Sequence, residues 1–126
     1  MQFSLNLQYK VRDFDREVHP EKLWSEDRKI TDWLIRSAIN AKYPNGIEER
    51  KVLRAAAAVQ DELSSALNAG RDYVTLSPYQ VEWLYDVLSS WKIPPGFAGW
   101  GNALLEYAGD VAKAAAAEGA KAEATK

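Results

Sequence analysis

The chain carries one histidine, His19, and no cysteine, which removes several kinds of chemistry at once. A catalytic triad needs a base beside its nucleophile, and a zinc site draws on several nitrogen or sulfur ligands. One His without a thiol supplies neither set, and disulfides are excluded outright. Carboxylates are the next candidates. Asp13, Asp15 and Glu17 alternate just before His19, yet a calcium loop needs further oxygen ligands and a glycine at fixed offsets. Surface charge in a turn is the expectation there, with His19 in a solvated loop. Glu48-Glu49 and Asp61-Glu62 offer the carboxylate pairs of a glycosidase, with tryptophans as sugar platforms. They fall on or near the polar side of an amphipathic helix, where acids at the start follow from the helix macrodipole. Gly96 and Gly99-Trp100-Gly101 lack the spacing of a phosphate-cradling loop and follow no strand. The expectation is a non-enzymatic protein with no catalytic residue, no metal and no cofactor.

Binding is the chemistry that remains, and the aromatic residues carry it. Five Trp and six Tyr stand in 126 residues, and the stretch Thr75 to Trp91 concentrates them. Ser77-Pro78-Tyr79-Gln80 is a capping box with Pro at the first helical position, so a helix starts here. At 100° per residue, Val81, Leu84, Tyr85 and Leu88 form one apolar face, assigned to the core. Tyr79, Trp83, Val87 and Trp91 form a second at i, i+4 spacing. Two readings of that second stripe stand open: large aromatics fill the cores of small domains, and Trp and Tyr are also enriched at protein interfaces. On the second reading Tyr79, Trp83, Val87, Trp91 and the nearby Trp100 contact a protein partner, which includes a second copy of this chain.

Charge points to the same segment. Between residues 72 and 110 stand five acids, Asp72, Glu82, Asp86, Glu106 and Asp110, against Lys92 alone. The whole chain has a formal net charge of -2 and a pI near 5.4, which argues against affinity for phosphate backbones. Arg50, Lys51 and Arg54 make one short basic patch, but Glu48 and Glu49 adjoin it. An alternative to the protein interface is an aromatic pocket around Trp91, Phe97 and Trp100 for a small ligand or nucleotide.

The elements that must position these residues are legible from periodicity. Residues 3 to 11 alternate, with Phe3, Leu5, Leu7, Tyr9 and Val11 on one side, as in a half-buried strand. A short return strand around Glu17 and Val18 is a candidate third strand. From about Ser25 the pattern is helical, with Ile30, Trp33, Leu34, Ala38 and Ala41 on one face and Ile35 and Ile39 beside it. Tyr43-Pro44-Asn45-Gly46 ends that helix. A second helix, Ile47 to Ala69, has Val52, Ala55, Ala56, Val59, Leu63, Ala66 and Leu67 on one face and Gly70 as its left-handed stop. Tyr73 to Leu76 is a short strand expected to pair with the N-terminal one. Pro94-Pro95 forces an extended link, and a last helix begins near Asn102. Past Ala112 the Ala/Lys/Glu-rich sequence has little to bury and is expected to fray into a solvated tail. The fold class is therefore α+β, about four helices with a small antiparallel sheet, as one domain over 1–112 and a tail over 113–126.

No stretch approaches the ~20 apolar residues of a membrane span, and Met1 is followed by alternating polar residues rather than a secretory pattern, so a soluble, cytoplasmic protein is expected. The order of elements, with Val74-Thr75-Leu76-Ser77 leading into the third helix, resembles small accessory proteins of tailed bacteriophages over residues 3 to 112. That resemblance implies a non-enzymatic role through binding a host or phage protein, and it transfers no individual residue.

Overall fold

The computed structural model describes residues 1–7 and 20–124, with side chains over 1–7 and 28–118. Strand β1 (Gln2–Ser4) and strand β2 (Tyr73–Thr75) bracket helices α1 (Pro20–Lys42) and α2 (Arg50–Ala69). Helix α3 (Pro78–Ser90), a short 3-10 turn (Pro95–Phe97) and helix α4 (Ala98–Ala124) follow. The expected class holds: four helices and a two-stranded antiparallel sheet. No helix among the described residues is long and apolar enough to cross a membrane.

Local signals place the helix ends. The hydroxyl of Ser77 accepts from the Gln80 N–H at 3.2 Å while the Gln80 amide oxygen accepts from the Ser77 N–H at 2.9 Å, so both halves of the capping box form. Gly70 stops α2 at φ 71°. Its N–H donates to the Leu67 carbonyl and the Arg71 N–H to the Ala66 carbonyl, a Schellman arrangement that satisfies carbonyls the helix would otherwise leave open. Helix α1 begins at Pro20, five residues before the expected start, and α2 begins at Arg50, three residues after it.

The sheet is shorter than the alternation over residues 3 to 11 suggested. Phe3 pairs with Val74, and Gln2 and Ser4 with Thr75 and Tyr73. Flanking bonds from Leu5 N–H to Asp72 O and from Leu76 N–H to Met1 O extend the ladder by one residue each way. The start of β2 sets the limit, since residues past Leu5 would face Arg71 and Gly70, where the chain is only just leaving α2. Tyr9, Val11, the candidate return strand at Glu17 and Val18, and the carboxylates Asp13, Asp15 and Glu17 with His19 lie outside the described residues.

Two strands are marginal in water, and side chains from the helices support these. The Phe3 ring meets Tyr107 of α4 edge-on at 4.9 Å between centroids. The Ser4 N–H donates to the Tyr107 hydroxyl at 2.6 Å, and the Thr75 N–H donates to Glu62 Oε2 at 3.2 Å. One donor on each outer edge of the sheet, as formed by the described residues, is thus already occupied, which blunts edge-to-edge pairing.

One core joins all the elements, with Phe3, Leu5, Leu34, Ile35, Val59, Leu63, Val74, Val81, Leu84 and Leu104 fully enclosed. Ion pairs tie its rim. Arg28 Nη1 reaches Asp72 Oδ1 at 2.8 Å and the Gly70 carbonyl at 2.7 Å. Arg36 bonds Asp32 and the Ser64 hydroxyl, joining α1 to α2, and Lys42 Nζ meets Asp86 Oδ2 at 2.6 Å, joining α1 to α3. On α1 the buried line is Thr31, Leu34, Ile35, Ala38 and Ile39. Trp33, expected on the core face, is 46% exposed and packs against Phe97 at 4.9 Å, because it lies on the far side of the helix from that line. Helix α4 does not end near Ala112 but runs on to Ala124, with Ala115 enclosed in the core. Alanine has the highest helix propensity, and Ala115 falls on the same face as Leu104, Ala108 and Ala112.

Candidate functional site

Helix α3 buries one wide arc and not two separate faces. Trp83, Val87, Leu84, Leu88 and Val81 lie successively around about 160° of the helix, and all are buried. The outermost aromatic of each expected face falls outside this arc. Tyr85, expected in the core, is 37% exposed on one side, and Tyr79 is 37% exposed on the other.

This decides where the residues expected to contact a partner stand. Trp83 keeps only 7% of its surface, and its indole N–H donates to the Tyr43 hydroxyl at 3.3 Å just beyond the end of α1. Val87 is fully buried. Neither presents a surface to a partner, because the end of α1 and the chain's own core cover that side of α3. Tyr79 is accessible, with the Lys51 ammonium 4.3 Å from its ring centroid. Trp91 and Trp100 are half-buried against the core.

Trp91 lines a recess of about 540 Å³ with Ala41, Lys42, Ser90 and Lys92. Neither Phe97 nor Trp100 lines it, and Phe97 is engaged with Trp33 instead. The C-terminal ends of α1 and α3 both meet this recess, so its two lysines answer the partial negative charge of helix carbonyls, and Lys42 is also paired with Asp86.

The aromatic and acidic features converge elsewhere, between α3 and α4. A groove of about 670 Å³ is lined by Glu82 and Tyr85 from α3 and by Leu105, Glu106, Gly109, Asp110, Ala112, Lys113 and Ala116 from α4. Its shape depends on Gly109. A β-carbon there would stand 3.3 Å from Tyr85 Cε2, so glycine lets the Tyr85 ring lie close against the α4 backbone. Glycine inside a helix costs about 1 kcal/mol relative to alanine, and here it makes room for a ring.

The five acids of this segment separate into two groups. Asp72 and Asp86 are held by Arg28 and Lys42. Glu82, Glu106 and Asp110 make no ion pair among the described residues, and all three line the groove. Among the described residues they belong to no cluster of metal-ligating side chains. Glu106 and Asp110 also border a second recess of about 440 Å³, lined by Ser4, Asn6, Leu7, Ala103 and Tyr107, so they stand on a ridge with a depression on either side. The groove is thus an apolar trough with carboxylates on both banks, opposed by one cation among the described residues, Lys113.

Sequence reasoning missed Tyr85, Leu105 and Gly109 as site residues. The available signal was Gly109 itself, a helix-weakening residue inside an otherwise strongly helical run. Comparison with protein-family models, with curated proteins and with solved structures returns no match to this chain.

Proposed function

We propose that this chain is a non-enzymatic protein-interaction module, with an accessory, inhibitory or assembly role of the kind the phage resemblance implies. It engages its partner through the groove between α3 and α4. The observation that carries this reading is the convergence of Glu82, Glu106 and Asp110, the acids of the segment without an ion pair among the described residues, on a trough holding the exposed ring of Tyr85. Carboxylates with no ion-pair partner among the described residues, beside an accessible aromatic residue, leave charge and apolar surface available to another molecule. The acidic aromatic surface expected from sequence remains the binding surface, but its residues change: Tyr85 replaces Trp83 as the anchor.

Solution mass and affinity capture from a lysate, with wild type and with Tyr85→Ala, test this. The expected result is a partner, or a second copy, retained by wild type and lost from a Tyr85→Ala variant with unchanged far-UV circular dichroism. Equal retention by both proteins, or retention by neither, would overturn the assignment.

A further inference from the structure

The shape and charge of the groove specify what fits it. We infer that it receives an amphipathic helix of a partner protein, with one apolar ridge flanked on both sides by Lys or Arg. This rests on the interaction-module reading and adds the chemistry of the partner.

The trough is walled by two helices, and Gly109, Ala112 and Ala116 line it from α4. The Tyr85 ring lies over Gly109, and with Leu105 and the exposed Ala116 it gives the apolar side chains of a seated helix something to pack on. Glu82 stands on the α3 wall, and Glu106 and Asp110 on the α4 wall. A ridge seated between them is met by carboxylate on either flank, so basic residues belong on both sides of it. Phosphate backbones and anionic membranes are repelled by the same arrangement. Strand addition is disfavoured, because Tyr107 and Glu62 already occupy the Ser4 and Thr75 donors that point outward from the two described strands. Lys113 is the one groove residue that opposes a basic partner, and its removal has a predictable sign.

The test uses the full-length chain and a labelled Leu/Lys amphipathic peptide of about five helical turns, read by fluorescence anisotropy at low and high salt. Two comparators are a Leu/Glu peptide with the same apolar pattern and a Lys/Ser peptide without an apolar ridge. Amide chemical shifts map the contact. The Leu/Lys peptide is expected to bind best, weaken with salt and shift residues 82–85 and 105–116. Combined Glu82→Gln, Glu106→Gln and Asp110→Asn should weaken it about tenfold at low salt, and Lys113→Gln should tighten it about twofold. Glu48→Gln with Glu49→Gln and Asp61→Asn, which remove three acids elsewhere, should change nothing.

Equal binding of the Leu/Glu peptide, shifts centred on Trp33 or Trp91, or equal loss from the two triple variants would overturn the inference. So would a chain that sediments as a dimer and becomes monomeric on Tyr85→Ala, since a second copy would then fill the groove. Tyr85-dependent capture of a partner that lacks a basic helix would sink this inference and leave the interaction-module reading standing. If no Tyr85-dependent partner is captured either, both fall.

Discussion

Replacing Trp83 by alanine separates the core from the interface on α3 most sharply. With 7% of its surface exposed, the ring contributes nearly its full burial to folding. Buried Trp→Ala substitutions cost about 3–5 kcal/mol from lost transfer energy and the cavity left behind. The bond from its indole to Tyr43 is long at 3.3 Å and adds only ~0.5 kcal/mol. Against the ~5–15 kcal/mol of a typical domain, Trp83→Ala should remove about a fifth of the stability or more, while Tyr43→Phe should cost under ~1 kcal/mol. Tyr85→Ala, which removes a ring already 37% exposed, should cost about 1 kcal/mol. Urea denaturation followed by far-UV circular dichroism measures all three without relying on the deleted fluorophore. A Trp83→Ala midpoint within ~1 kcal/mol of wild type at unchanged m-value, or a Tyr85→Ala loss as large as that of Trp83→Ala, would refute the placement of the two rings.

Three further substitutions test particular contacts. Thr31 is fully buried, and its hydroxyl has no hydrogen-bond partner among the described residues; Thr31→Val should raise stability by about 1 kcal/mol, and a loss would mean the hydroxyl is bonded after all. Gly70→Ala places a β-carbon on a residue at φ 71° and should cost about 1 kcal/mol, whereas Gly96→Ala, which meets nothing within 4 Å, should be close to neutral in the same melt. Gly109→Ala gains ~0.5–1 kcal/mol of helix propensity and presses on Tyr85, which can swing outward. It should melt no lower than wild type yet bind the Leu/Lys peptide more weakly, and a large drop in melting temperature would show that the ring cannot move.

Much of the fold could be read from the chain because its signals are local. Ser77 and Gln80 cap a helix three residues apart, Gly70 supplies a left-handed stop, and the one-sided stripe from Ala55 to Ala66 is what a surface helix shows. The site was less legible because it depends on which part of a broad apolar arc the fold covers. Residues of α3 are apolar around most of its circumference, and only the approach of Tyr43 and α4 decides that Trp83 goes inside and Tyr85 stays accessible. Trp33 was misplaced for the same reason. The acid-rich composition of residues 72 to 110 was visible, but not its division. Asp72 and Asp86 find their cations 44 residues away on α1, a separation that no local pattern reports. The length of β1 was set by its partner, since β2 begins only three residues after Gly70 ends α2 and offers nothing opposite the residues past Leu5.

The central claim is that a partner occupies the groove between α3 and α4, and a photo-crosslinker placed there tests it most directly. With p-benzoylphenylalanine in place of Tyr85, and in a control at Leu53, which is more exposed on α2 than Tyr85 on α3 and remote in sequence from the groove residues, irradiation in lysate should yield a discrete adduct from position 85 alone. Mass spectrometry of that adduct should place the linked residue on a helix bearing Lys or Arg. Adducts of equal yield from both positions, or none from position 85, would contradict the account.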